Sequence, residues 1–558
     1  MHVRSWLSFG ALLVMIALPA SVRAAESKKA ATPALVVQIK SIDGLLADAR
    51  YLANLAGKEE QAKQIDGFLQ SLKKEKGFQA IDPKRPLGLY GSFAEDVQES
   101  HGAVLVPITD EKAFLDLLDR FNQKAEKGDD GIYTVTPPQS PVPFYFTFAH
   151  KYAYITAQSK TALEEKNLLD PARVLSPGRS ADLYAAFQIN QIPDGLKQIA
   201  LQMIDQQADK AQQAQPGETQ LQTELKAQAA KDMAEQAADV VKEGQTLEIQ
   251  LTVDRKGGNL FAEASVAGKP GSRLASRIAK LGEAKSLFGT LAGTDSALSL
   301  ETHWTLPANV RKALEPMIDD GFQKALAKEK VEAKRAEAEK VYKALEPSLK
   351  SGALDFAFSL HGPKTDNHYT FVAGIKLQDG KAVENVLRDW VKTLPEKDRQ
   401  KIKLDVAEAG EVKIHQIEAQ QDFDANARKT LGDHPVFFAI REDALLVTGG
   451  PGGQEALQKA LAVQPQTSPL VEGVVSLARL APLMPQPNAP EAAKEAFGGD
   501  QQDRDKVRLT VEGGKTLRAI VKMNAPVVKF FNQVNQQGGG AARPEAPATV
   551  PPETPKEK

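Results

Sequence analysis

Ala103-Val104-Leu105-Val106, a turn at Asp110, and Lys112-Ala113-Phe114-x-x-Leu117-Leu118-x-x-Phe121 come back later in the chain. There they read Val372-Ala373-Gly374-Ile375, a turn at Asp379, and Lys381-Ala382-Val383-x-x-Val386-Leu387-x-x-Trp390. In both copies the second part places apolar residues at i, i+1, i+4, i+5 and i+8, one stripe of a helix. The first part is a short apolar run of the kind that forms a strand. A unit that returns at long range has to be traced first, because the fold follows from it.

Working outward, two more segments return in the same order. Pro143-Phe144-Tyr145-Phe146-Thr147-Phe148, a turn at His150-Lys151, and Ala153-Tyr154-Ile155-Thr156 match Pro435-Val436-Phe437-Phe438-Ala439-Ile440, a turn at Glu442-Asp443, and Leu445-Leu446-Val447-Thr448. Leu247-Glu248-Ile249-Gln250-Leu251-Thr252-Val253, a glycine turn, and Leu260-Phe261-Ala262 match Val507-Arg508-Leu509-Thr510-Val511, a glycine turn, and Leu517-Arg518-Ala519-Ile520-Val521. Both pairs read as β-hairpins. Three matches in one order predict a tandem duplication covering nearly the whole mature chain.

Within each half a strand, a stop, a long helical segment, a hairpin and a helix also recur, with opening strands at 35–39, 183–189, 298–303 and 470–477. The fold class expected is therefore α+β: two domains, each a curved antiparallel sheet covered by helices, plus long polar helical hairpins. Those hairpins are the segments 196–241 and 310–349. Their only apolar stripes are sparse, Leu221, Leu225, Met233 and Val240 in one, Phe322, Leu326, Val341 and Leu345 in the other.

The ends bound the design. Arg4, an apolar stretch over 6–18, and Val22-Arg23-Ala24 follow the pattern of a secretory signal cut after Ala24. The apolar stretch is shorter than the roughly 20 residues that span a bilayer. The expected organisation is a signal peptide at 1–24, a first half at 25–285, a second half at 293–535 and a disordered Pro/Gly-rich tail at 536–558. Localisation follows: exported, to the periplasm or cell envelope or secreted, and not an integral membrane protein after the leader is cut.

Composition removes several chemistries. The chain has no cysteine, so disulfides, thiolate metal sites and cysteine nucleophiles are excluded. Its formal charge of −2, falling to −4 once Arg4 and Arg23 leave, gives no electrostatic footprint for nucleic acid.

Five features invite a chemical reading. His361 and His368 flank a loop and would meet across a hairpin mouth to hold a metal; the plainer reading is a polar turn. Asp422-Phe423-Asp424-Ala425-Asn426, with Asp433 in twelfth place, imitates a calcium loop, yet Ala427 occupies the sixth position, where the turn needs glycine. A helix capped by Asp422 or Asp424 explains the same residues. Gly449-Gly450-Pro451-Gly452-Gly453 stands between a strand and a helix, where amides cradle phosphates, but lacks the following Lys and Ser/Thr. Its counterpart, Ala157-Gln158-Ser159-Lys160, has no glycine, which favours a connector. Ser71-Leu72-Lys73-Lys74 has a Ser-x-x-Lys spacing without its companion motifs. The aromatic run Phe144, Tyr145, Phe146, Phe148, Tyr152 and Tyr154 suits a strand covered on both faces better than a stacking platform. No residue is assigned a catalytic, cofactor-binding or metal-binding role, and no cofactor is expected.

The leader, the missing cysteines, the opening strands at Leu35 and Leu183, and the hairpins at Gly257-Gly258 and Gly513-Gly514 together resemble the large exported bacterial proteins built of repeated β-α-β-β modules, a kind common in planctomycete-like genomes. The resemblance implies the class, brings no catalytic residues, and leaves the activity open. The expectation is a non-enzymatic binding or scaffold protein of the periplasm or cell envelope, with an envelope protein or a hydrophobic ligand as partner. The alternative is a periplasmic carrier of a hydrophobic ligand or lipid, prompted by Phe144, Phe146, Phe437 and Phe438 on the hairpin strands. A hydrolase would need Ser, His and Asp or Glu brought together by the fold.

Overall fold

The structure, a computed structural model, describes residues 33–538 apart from 75–77, 97–98, 138–141, 158, 177–178, 214–219, 290, 292, 294, 307, 365, 419 and 499–503. The proposed leader and the tail beyond 538 lie outside the described residues.

Twenty described strands form one antiparallel sheet, ten from each half. In the first half they are β1 (Leu35–Ile39), β2 (Leu87–Ser92), β3 (His101–Pro107), β4 (Ala125–Lys127), β5 (Tyr133–Val135), β6 (Phe144–Ala149), β7 (Tyr152–Thr156), β8 (Leu183–Gln188), β9 (Gly244–Asp254) and β10 (Asn259–Gly268). In the second they are β11 (Ser296–Thr305), β12 (Ala353–His361), β13 (Thr370–Lys376), β14 (Ile402–Ala409), β15 (Val412–Ile417), β16 (Val436–Arg441), β17 (Ala444–Gly449), β18 (Val471–Ser476), β19 (Lys506–Glu512) and β20 (Leu517–Asn524).

The first half is ordered β4-β5-β6-β7-β3-β2-β1-β8-β9-β10. The second is ordered β14-β15-β16-β17-β13-β12-β11-β18-β19-β20. Each strand of one half thus has a counterpart ten places later in the other, with the same neighbours. All three segment pairs picked out in the sequence occupy matching places. The α+β architecture is realised with the two halves' sheets joined edge to edge, since β10 pairs with β20 from Asn259 opposite Asn524 to Val266 opposite Leu517.

The helices of seven residues or more used below are α1 (Ile42–Leu55), α2 (Glu59–Lys74), α3 (Glu111–Arg120), α4 (Asp194–Ala211), α5 (Gln220–Glu243), α6 (Arg273–Glu283), α7 (Ala308–Lys328), α8 (Glu332–Lys350), α9 (Gly380–Thr393), α10 (Ala425–Leu431), α11 (Gly453–Leu461), α12 (Ala489–Phe497) and α13 (Pro526–Gly538). Matched caps start the matched helices. Asp110 accepts the Ala113 N–H at 2.9 Å to open α3, and Asp379 accepts the Ala382 N–H at 2.9 Å to open α9. The polar hairpins are α4–α5 and α7–α8. In the latter, Phe322 stacks on Tyr342 at 3.8 Å between ring centroids, and Asp319 accepts from both Tyr342 and Lys350 at 2.6 Å. Leu326 is buried there, whereas Met233 on α5 stays 71% exposed and so does not join the expected stripe.

Packing falls into separate clusters. On one face of the sheet, Tyr90, Leu105, Tyr152 and Tyr154 are buried together with Leu163, Val174 and Leu175. The matching cluster in the second half packs Ile414, Ala439 and Leu446 against Leu457 and Ala460 of α11. On the opposite face, Phe114 and Leu117 of α3 cover Phe146 and Ala153. The aromatic strand β6 is therefore core on both sides: Phe146 is fully buried and stacks on Tyr133 at 4.9 Å. At one end of that same face, α12 and α13 pack Phe497 and Phe530 against Val475, Val507 and Met523.

Candidate functional site

Successive residues of a strand point to opposite sides, and directly paired residues point the same way, so register assigns every side chain to a face. Starting from Val37 on β1, its partners are Leu89 on β2 and Ala185 on β8. Ala185 is opposite Ile249, Ile249 opposite Ala264, and Ala264 opposite Ala519. Ala519 leads to Val511, Val471 and Thr302, and Thr302 to Phe356 and Ile375. The rows on either side read Leu35, Phe187, Leu247, Val266 and Leu517, and Ile39, Leu183, Leu251, Ala262, Val521, Leu509, Gly473, Leu300, Phe358 and Ala373. Across the twelve strands from β3 to β13 these three rows carry one polar side chain, Thr302, while Trp304 on β11 and Gln245 at the start of β9 fall on the same side by alternation.

The other face of the same central strands is polar. It presents Glu248, Gln250, Glu263, Arg508, Glu512, Arg518 and Lys522, with Arg518 paired to Glu512 and Arg508 to Glu472. Polar side out and apolar side in is the ordinary plan of a half-covered sheet. Here the apolar side is not fully covered. Ile249 is 47% exposed and Leu251 43%, and Leu247, Leu300, Trp304, Leu354, Ile375 and Leu509 each keep more than a third of their surface. Among the described residues, helices cover parts of this side: α3 over Phe146 and Ala153 of β6 and β7, and α12 and α13 over Val475, Val507 and Met523 at one end of β18, β19 and β20. With neighbouring strands about 4.8 Å apart, the apolar field runs roughly 50 Å along the sheet.

A second place is a cavity of about 570 Å³ whose wall includes Leu291, Asp295, His361, Thr370, Pro451 and Gly452. Here the fold does bring Ser, His and Asp together. Ser359 Oγ lies 2.9 Å from His361 Nε2, and His361 Nδ1 lies 3.2 Å from Asp295 Oδ1. That is the order of linkage in a serine hydrolase. The exposures run the wrong way for acyl transfer, however. Ser359 is completely buried, with Oγ also 3.3 Å from the Leu291 carbonyl, while the Asp295 side chain is more than half exposed. As placed, the hydroxyl cannot be reached by a carbonyl carbon, and the network fixes the imidazole at the cavity wall.

The residues singled out in the sequence settle as follows. His361 and His368 do not meet: His368 lies instead beside Asp366 and His434. Asp424 caps α10 by accepting the Ala427 N–H at 2.7 Å, and Asp433 faces Arg428 at 3.6 Å, so the calcium-like run is a helix start. Gly449–Gly453 connects β17 to α11. Gly450 has φ 97°, and a Cβ on it would fall 2.0 Å from the Tyr369 carbonyl, so glycine is required by close backbone approach. In the first half Ser159 makes the equivalent turn by capping through its hydroxyl. Ser71–Lys74 lies on α2, and its side chains fall outside the described residues. Sequence reasoning missed Asp295 and His434, which reach their partners only through strand pairing.

No protein-family model matches this chain, and no curated protein or solved structure is found to match it.

Proposed function

We propose that this protein binds the hydrocarbon portion of a lipid along the open apolar face of its sheet, as an exported, non-enzymatic carrier or holding protein of the periplasm or cell envelope. The observation that carries the reading is the run of half-exposed apolar side chains Leu247, Ile249 and Leu251 on β9, Leu300 and Trp304 on β11 and Leu509 on β19, with Thr302 and the Trp304 indole as the hydrogen-bonding groups among them. A protein partner normally brings a polar rim and backbone groups that need partners. A hydrocarbon chain has no such need, and each methylene seated on the face contributes about 0.8 kcal/mol. The long, narrow shape of the field suits an extended chain better than a compact ligand.

The same ten-strand order in both halves supports an origin by duplication, which makes a single long face out of two shorter ones. The leader-like start supports export, to a compartment where acyl lipids are the abundant apolar molecules. Titration with cis-parinaric acid tests the reading. The wild type should bring up the probe's fluorescence with saturation, and a variant carrying Ile249→Glu and Leu509→Glu should lose that response while keeping its circular dichroism. Equal binding by the variant would contradict the proposal. A wild-type dimer that the same substitutions dissociate would assign the face to self-association instead.

A further inference from the structure

We infer that Asp366, His368 and His434 form a binding site for a divalent transition metal of the zinc type, joining the β12–β13 loop to the segment between α10 and β16. The three residues come from places 66 and more positions apart in sequence from end to end of the cluster, yet one ligand atom from each lies within 4.8 Å of the others. His368 Nδ1 is 3.1 Å from Asp366 Oδ2, and His434 Nε2 is 3.8 Å from the same oxygen. Ligands of a tetrahedral zinc held at about 2.0–2.1 Å are about 3.3–3.4 Å apart, so small side-chain movements bring this set to coordination geometry. Two imidazoles and one carboxylate are a borderline-soft set that suits zinc and leaves a fourth position for water.

Two features of the surroundings fit a ligand set. His368 Nδ1 is shielded from solvent and has the Asp366 carboxylate as its neighbour, 3.1 Å away, so the nitrogen and the oxygen already face one another. Gly432, at φ 65°, would place a Cβ 3.0 Å from that same nitrogen, so glycine here keeps its approach clear. The loops are also held in register. The Tyr369 N–H donates to the Thr430 carbonyl at 2.7 Å, the Lys364 N–H to the His368 carbonyl at 2.8 Å, and the His368 N–H to Asp366 Oδ1 at 3.1 Å. The two imidazole rings stand edge-on, 6.4 Å between centroids and 72° apart, with Nδ1 of one and Nε2 of the other turned toward the same Asp366 oxygen.

Titration of the metal-free full-length protein with Zn²⁺ by calorimetry, and with Co²⁺ by visible absorption, tests the inference. One zinc per chain is expected, with cobalt giving the intense d–d bands of a tetrahedral site. His368→Ala and His434→Gln should each weaken binding at least tenfold, whereas His361→Gln and His415→Gln should leave it unchanged. Should His368→Ala fail to fold, His434→Gln, on an exposed side chain, still decides the matter. Absence of stoichiometric zinc binding, or wild-type affinity in both cluster variants, would overturn the assignment.

Discussion

Leu183 on β8 stands directly opposite Leu251 on β9, on the open side of the sheet, and Leu251 keeps 43% of its surface. A side chain in that position has few neighbours to lose. Leu251→Ala should therefore cost less than about 1.5 kcal/mol, whereas Leu446→Ala, in the fully buried cluster under α11, should cost about 2–5 kcal/mol. Urea unfolding of the two variants gives the comparison, and equal losses would mean that the face is packed after all.

Where the halves join, Ala264 on β10 faces Ala519 on β20. Ala264→Pro removes a ladder donor and should cost about 3 kcal/mol or more at the seam. Beyond the proposed leader the tryptophans are Trp304 and Trp390, both in the second half. Fluorescence then reports that half while circular dichroism reports both. The two should coincide during wild-type unfolding and separate in the proline variant. Coincident curves in both proteins would show that the seam does not couple the halves.

Asp355 on β12 is buried, its two carboxylate oxygens accepting from Ser286 Oγ at 2.8 Å and the Leu287 N–H at 2.7 Å. It pins the chain entering the second half to the middle of its sheet. Asp355→Ala leaves both donors without a partner and should destabilise by about 2–3 kcal/mol. Thermal unfolding measures this, and an unchanged midpoint would show that the tie contributes nothing.

Acid should act through two opposed groups. Burial, reinforced by Arg388, lowers the pKa of fully buried His415, whose Nε2 makes no hydrogen bond. The unfolded chain takes up that proton first, so stability present above the unfolded pKa near 6.5 is lost as pH falls through the lower folded value. Burial and the neighbouring Asp182 push Asp48 the other way, up to about 6, against the opposing effect of Arg255. Its stability is full below about 4 and is lost as pH rises through about 6. Denaturation between pH 4 and 8 should show His415→Gln less sensitive to acid and Asp48→Asn relatively more stable at pH 8. Parallel curves for wild type and both variants would contradict these assignments.

Much of the framework was legible in the residues. The caps Asp110 and Asp379 and the paired hairpin strands carry local signals, because helix periodicity and turn chemistry act over a few positions. The joining of the two sheets was not legible, since Ala264 and Ala519 meet only when distant strands pair, and nothing local specifies an edge partner. The apolar face was half visible. Leu247, Ile249 and Leu251 alternate with Glu248 and Gln250, but alternation shows which side is apolar and not whether a helix covers it. The Asp366, His368 and His434 cluster lay beyond reach for the same reason as the seam.

The central claim, that the open face holds an acyl chain, is tested most directly by native mass spectrometry of the protein isolated from the cells that make it. The wild type should carry added mass that collisional activation releases as a lipid, and the Ile249→Glu, Leu509→Glu variant should fly at its bare chain mass. A wild type free of any adduct, or a variant equally loaded, would contradict it.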